Sequence, residues 1–171
     1  MRRFLPLSLT ALALLASAPA HAQFANKSLG LGLGYMHIDA DASVSWGVPL
    51  SLEGSLYVEN GFDVMVRVPL MVLISPIDGH QFVGAGVNLG VRYFFSEESL
   101  RPYAGAELAF LYIFRTEDTS TLFGVGPVAG FDYFLTDSIS IGPRAFANFF
   151  IELNKPVRTT LGGQAVVATY F

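Results

Sequence analysis

The sequence has no cysteine, which removes disulfide frameworks, thiolate zinc sites and cysteine nucleophiles from consideration. It has no basic excess either: ten Lys and Arg stand against 14 Asp and Glu. No cationic surface is available to meet phosphates, so nucleic acid is not a partner. Histidine is scarce, at three residues, and this narrows both metal sites and acid–base chemistry. Beyond the first 22 residues there is no run of about 18 or more apolar residues, the length a spanning helix needs. Yet 52% of the chain is hydrophobic. A hydrophobic chain without a spanning helix points to strands, because only helices and closed barrels cross lipid.

What is present begins with an export signature. Arg2 and Arg3 form a positive start, Phe4 to Ala18 is an apolar stretch too short to span, and Ala20-His21-Ala22 fits the small-x-small cleavage rule. Residues 1–22 are therefore read as a signal peptide and residues 23–171 as one barrel domain. Without Arg2 and Arg3 the mature chain keeps eight basic and 14 acidic side chains, a net charge of −6 over 149 residues (171 less 22).

The stretch from Gln81 to Phe95 is the most informative. Alternate strand residues face opposite sides. Val83, Ala85, Val87, Leu89, Val91, Tyr93 and Phe95 make one side wholly apolar. Phe82, Gly84, Gly86, Asn88, Gly90, Arg92 and Phe94 make the other small, polar or charged. No amphipathic helix exists to cover the apolar side. Lipid outside and a polar interior is the arrangement of a transmembrane β-barrel; a soluble lipocalin-like barrel would bury the apolar side and expose the charges.

Segments of this kind recur. The pattern predicts strands over 28–36, 48–58, 62–72, 81–95, 103–114, 123–135, 139–151 and 161–171. Asp39, Asp41 and Trp46 fall in a loop, as do Thr116 to Thr121, and Asn154-Lys155-Pro156 opens the last one. Glu59-Asn60-Gly61 reads as a three-residue hairpin turn, and Pro69 demands a bulge or a strand end. The fold class is thus all-β, an eight-stranded antiparallel up-and-down barrel, and barrels of this size have interiors filled by side chains. Both termini then lie on the periplasmic side with the short turns at Asn60, Glu98 and Asp137. The loops near Ala42, Pro76, Asp118 and Pro156 face the exterior. Tyr93, Phe95, Tyr133 and Phe171 form an interfacial girdle at the periplasmic end.

Seven strand charges, Glu53, Asp63, Arg67, Arg92, Glu107, Asp132 and Arg144, all take the inner parity. A lipid-facing arginine at mid-bilayer would cost about 2–4 kcal/mol, and no strand carries one. Turn geometry places Glu53 opposite Arg67, Tyr57 opposite Asp63, and Arg92 opposite Glu107. Arg144 falls opposite Gly130 and diagonal to Asp132. These charges make a lumen network that either plugs the barrel or gates a narrow ion path.

Three segments carry a family resemblance: Arg101-Pro102-Tyr103-Ala104-Gly105-Ala106-Glu107-Leu108, Asp132-Tyr133-Phe134-Leu135-Thr136-Asp137-Ser138-Ile139-Ser140-Ile141-Gly142, and the terminal Phe171. With them the chain resembles small bacterial outer-membrane β-barrel proteins of the OmpA/OmpX-like kind. The resemblance implies an integral protein of the Gram-negative outer membrane. It also implies Phe171 as the signal to the barrel-insertion machinery, although Thr169 stands where many members carry an aromatic. Family members include anchors, adhesins, pores and lipid A deacylases.

Other chemistry has weaker support. The deacylase pattern of a histidine two residues before a serine is absent, since His37 precedes Ile38-Asp39 and His80 precedes Gln81-Phe82. His37 and His80 with Asp39, Asp41 and Asp78 lack the tight spacing of a metal site. Gly30-x-Gly32-x-Gly34 is strand-face spacing with no helix after it, not a phosphate loop, so no cofactor is expected. Met36, Met65, Met71, Leu111 and Ile113 face inward and would suit either packing or an apolar conduit. The expectation is a structural or membrane-organising barrel with a largely plugged lumen. It would act as a monomer among outer-membrane lipids and lipopolysaccharide. A narrow or gated, porin-like pore is the alternative, ahead of a lipid A-modifying enzyme or a surface adhesin.

Overall fold

A computed structural model describes residues 26–40, 43–74, 81–114, 119–151 and 157–171. The expected signal peptide and the loops around Ala42, Pro76, Asp118 and Pro156 lie outside these residues. Among the described residues eight strands follow in order: β1 (Lys27–Ala40), β2 (Ser43–Glu59), β3 (Phe62–Ile74), β4 (Gln81–Phe94), β5 (Leu100–Phe114), β6 (Thr119–Phe134), β7 (Ile139–Ile151) and β8 (Arg158–Tyr170). Each pairs antiparallel with its sequence neighbours, and β1 pairs with β8 to close the barrel. Closure leaves no sheet edge with unpaired backbone groups, the condition for a strand protein in lipid.

Parity decides which side chains face out. Leu31, Val66 and Phe110 are 58%, 44% and 47% exposed, while their neighbours Gly32, Arg67 and Leu111 are buried. Aromatic side chains stud both rims of this apolar surface. Phe62, Tyr93 and Phe95 stack edge-to-face near the termini, and Tyr35–Trp46 and Tyr112–Phe114 pair at the opposite end. Two aromatic girdles are the usual trim of an outer-membrane barrel.

The strands run further away from the termini than the sequence suggests. Asp39 and Trp46, read as loop, are ladder residues of β1 and β2, with His37 opposite Trp46 and Asp39 opposite Val44. Thr119 to Thr121 belong to β6, and Arg158 to Thr160 begin β8. Polar composition marked these segments as loops, yet beyond the hydrocarbon zone a strand needs no apolar face. Strands of 13–17 residues exceed the about 9–11 that cross the bilayer.

Two turns correct the expected geometry. Glu59 pairs directly with Phe62, so the β2–β3 hairpin closes over two residues, Asn60 (φ 53°) and Gly61 (φ 87°). That is the Asn-Gly pair which a type I′ turn favours. A bulge between Tyr57 and Glu59 supplies the third residue, so Tyr57 still faces Asp63. At the β4–β5 turn, Arg92 faces Gly105 and Glu107 faces Gly90, two residues from the expected register. Ser96 Oγ accepts from the Glu98 N–H and the Glu98 carbonyl accepts from Arg101 Nε, which centres the turn earlier in the chain. A slip of two preserves every face, because side chains repeat every two residues.

Pro69 also departs from expectation. It sits mid-strand opposite Ser51 without a register shift. The β3–β4 ladder skips from Arg67–Asn88 to Leu70–Ala85 and keeps its register across the gap. Pro49 lies at a similar gap in β1–β2, and Pro127 and Pro143 lie at gaps in β6–β7. Each proline thus costs a ladder step on one side only. The facing backbones approach closely at Gly126 and Gly142, where an added Cβ would run into the carbonyl oxygens of Ala147 and Phe131.

Candidate functional site: the charged lumen

Inward parity brings the seven strand charges to one interior, none of them more than 5% exposed. Among the described residues three ion pairs organise it. Arg144 of β7 grips Glu53 of β2 with both terminal nitrogens, Nη2 lying 2.8 Å from Oε1. Arg67 of β3 reaches Glu107 of β5, with Nη2 at 2.7 Å from Oε2. Arg92 of β4 pairs with Asp63, its direct partner on β3, at 2.6 Å. Asp132 makes no ion pair among the described residues and accepts a 2.6 Å hydrogen bond from the Tyr170 hydroxyl.

Neutral side chains complete the network. Asn88 and Asn148 both donate to Glu107 Oε1 at 2.9 Å. Arg67 Nη1 donates to Gln164 Oε1 at 3.0 Å, and Arg144 Nε donates to Tyr103 Oη at 3.2 Å. Two guanidinium groups also lie on aromatic faces, Arg67 at 4.8 Å from the Phe146 ring centre and Arg92 at 4.9 Å from that of Tyr103. Taking each ion out of water costs several kcal/mol, which only good geometry and further hydrogen bonds offset.

The expected partners are partly reassigned. Glu53 does face Arg67 across the β2–β3 ladder, but the two side chains go elsewhere, to Arg144 and Glu107. Arg92 chooses Asp63 over Glu107. Arg144 sits opposite Gly130 and takes Glu53 in place of the diagonal Asp132. Ladder reasoning treats the sheet as flat. In an eight-stranded barrel every inward side chain points toward the axis, so a long arginine reaches non-adjacent strands as readily as adjacent ones.

Asn148, Gln164, Tyr103 and Tyr170 were not singled out from the sequence. Their signal was available: β7 and β8 parity turns Asn148, Gln164 and Tyr170 inward. They carry no charge, so a search for charge passes over them. Arg158, placed in a loop by the sequence, is buried at the start of β8.

Apolar residues flank the charges on both sides. Met36, Ile38, Met71, Leu73, Leu111 and Ile113 pack together away from the termini, each 3–5% exposed. Toward the termini Phe94 stacks on Tyr103 at 5.5 Å and Phe134 on Tyr170 at 4.9 Å. A cavity of ≈ 20 Å³ lies beside Arg67, room for about one water. Of the inward residues that would suit packing or an apolar conduit, Met36, Met71, Leu111 and Ile113 are packed in this cluster. His37 lies on β1, and His80, Asp41 and Asp78 lie outside the described residues. No group of three or more His, Asp or Glu suited to a metal occurs among the described residues.

No curated protein matches the chain. Solved structures of similar fold include Neisserial surface protein A, at 16% identity and TM-score 0.68, covering 85% of this chain and 97% of that one. OprG of Pseudomonas aeruginosa is similar at 11% identity and TM-score 0.57, covering 85% and 95%. The outer-membrane enzyme PagL is similar at 14% identity and TM-score 0.55, covering 84% and 99%. The family model for the outer membrane protein beta-barrel domain matches residues 8–145. With that match and a closed, lipid-faced barrel of eight strands, the chain belongs to the outer-membrane β-barrel family and resides in the bacterial outer membrane.

Proposed function

We propose that the protein is a structural, membrane-organising barrel whose lumen does not conduct. One observation carries this reading: three arginine–carboxylate pairs fill the lumen with side chains 0–5% exposed, between apolar layers. Opening a path for solute means parting buried ions from their partners, at about 3–5 kcal/mol for each pair broken by loss of one member. The work of such a barrel is done at its outer wall. A continuous belt of Leu, Val and Phe meets outer-membrane lipid and lipopolysaccharide, and the protein acts there as a monomer. The C-terminal strand, ending in Phe171, addresses the insertion machinery.

This role includes no catalysis. Incubation of the refolded protein with lipid A should leave the lipid's mass spectrum unchanged. Loss of an acyl chain would replace the structural reading with an enzymatic one. The closed lumen is tested by solute entry into proteoliposomes. Small sugars should enter no faster than into protein-free vesicles, and entry that scales with the amount of folded protein would establish the pore.

A further inference from the structure

Two amides in the lumen have orientations dictated by charge. Gln164 Oε1 accepts from Arg67 Nη1 at 3.0 Å and from Ser51 Oγ at 3.4 Å. Turned over, the amide would set its NH2 against a guanidinium. Asn148 Nδ2 donates to Glu107 Oε1 at 2.9 Å, and the reverse would set a carbonyl oxygen against a carboxylate. Fixing one atom of each amide fixes the other. Gln164 Nε2 must present N–H donors and Asn148 Oδ1 must present an acceptor.

Both of these atoms are buried without a hydrogen-bond partner in the protein, as are Arg67 Nε and Thr160 Oγ1. The four side chains belong to residues at most 4% exposed, and all four line the ≈ 20 Å³ cavity. Native interiors leave few polar groups unpaired, and four around one space call for a guest. Together they offer one guanidinium N–H, two amide N–H, one carbonyl acceptor and one hydroxyl that can act either way. A metal cation would face those N–H donors. A halide would face the Asn148 oxygen, close to the Glu107 carboxylate that Asn148 already binds. Neither ion matches the set.

Water does. Its two lone pairs take the Arg67 Nε–H and a Gln164 Nε2–H, and its two hydrogens go to Asn148 Oδ1 and Thr160 Oγ1. The volume admits about one such molecule. We propose that the barrel binds a single structural water here, joining β3, β7 and β8 beside the Arg67–Glu107 pair. This water completes the hydrogen bonding of Arg67, whose other nitrogens hold Glu107 and Gln164. Met36, Met71, Phe146 and Phe150 complete the walls. The site stands apart from the proposed role of the barrel: solute entry would overturn that role and leave this site to its own test.

The test has two readouts on the full barrel refolded in micelles. In water-selective NMR, the Gln164 side-chain amide should show cross-peaks to water of opposite sign in the laboratory and rotating frames, the mark of a held molecule. Thr160→Val removes the hydroxyl at nearly constant volume. With the water bound, it should lower the urea midpoint and weaken those cross-peaks, while Thr160→Ser, which keeps the hydroxyl, retains them. Without the water, the same valine removes an unsatisfied hydroxyl and raises the midpoint. A missing Gln164–water cross-peak in the unaltered protein, or a raised midpoint in Thr160→Val, overturns the site.

Discussion

Removing Arg144 isolates the longest-range of the three ion pairs described in the lumen. Arg144→Met leaves Glu53, 5% exposed, without the guanidinium that binds both of its oxygens. Breaking a buried pair by removing one partner costs about 3–5 kcal/mol, whereas replacing both by apolar groups of similar size is often neutral or stabilising by about 1–4 kcal/mol. Glu53→Met should therefore destabilise by a similar amount, and the double variant should recover most of either loss. Urea unfolding in lipid vesicles reads this directly, and Trp46, the single tryptophan, reports it by fluorescence. The decisive comparison is a second cycle with Arg67, which faces Glu53 in the ladder but binds Glu107. The Glu53–Arg144 coupling, the two single losses less the small double loss, should then exceed the about 0.5–3 kcal/mol usual for contacting residues. The Glu53–Arg67 coupling should fall well below it. Equal couplings, or a larger one for Glu53–Arg67, would refute the cross-lumen pairing and restore the ladder pairing.

Other consequences are simpler to measure. Val66→Arg places a cation on the lipid face and should lower stability by about 2–4 kcal/mol in the same unfolding assay. Gly142→Ala drives a Cβ into the Phe131 carbonyl, whereas Gly54→Ala meets nothing nearer than 3.7 Å. The first should lose about 1–3 kcal/mol, as overpacking does, and the second should fold and migrate on unheated gels like the parent. Tyr170→Phe strips Asp132 of its 2.6 Å hydrogen bond and should cost about 1.5–3 kcal/mol, typical of bonds to charged groups.

Much of the fold is written in period-two alternation, because lipid enforces it. Leu50, Leu52 and Leu56 on one strand or Val64, Val66 and Val68 on another cannot turn inward without exposing Glu53 or Arg67 to hydrocarbon. The same force is absent beyond the bilayer, so Asp39, Trp46 and Thr119 are strand residues that read as loop. Lumen partners are legible only in part. Which residues face inward follows from parity, but who pairs with whom depends on barrel curvature. Arg144 finds Glu53 across the lumen, a contact no hairpin register contains. The β4–β5 turn shows the limit of register arithmetic: the polar run from Ser96 to Arg101 admits two centres that leave all faces unchanged. Gln164 and Asn148 gain their importance from the charges they touch, and those contacts exist only once β7 and β8 close against β1 and β6.

Single-channel conductance in a planar bilayer tests the closed lumen most directly. Folded protein, confirmed by its migration on unheated gels, should leave the bilayer silent across the voltage range. Arg144→Met, which frees Glu53 inside the lumen, is the variant that should first admit current. Stable conductance steps from the unaltered protein, shifted in size when Glu53 or Arg67 is neutralised, would contradict the account and make the charged lumen a gate.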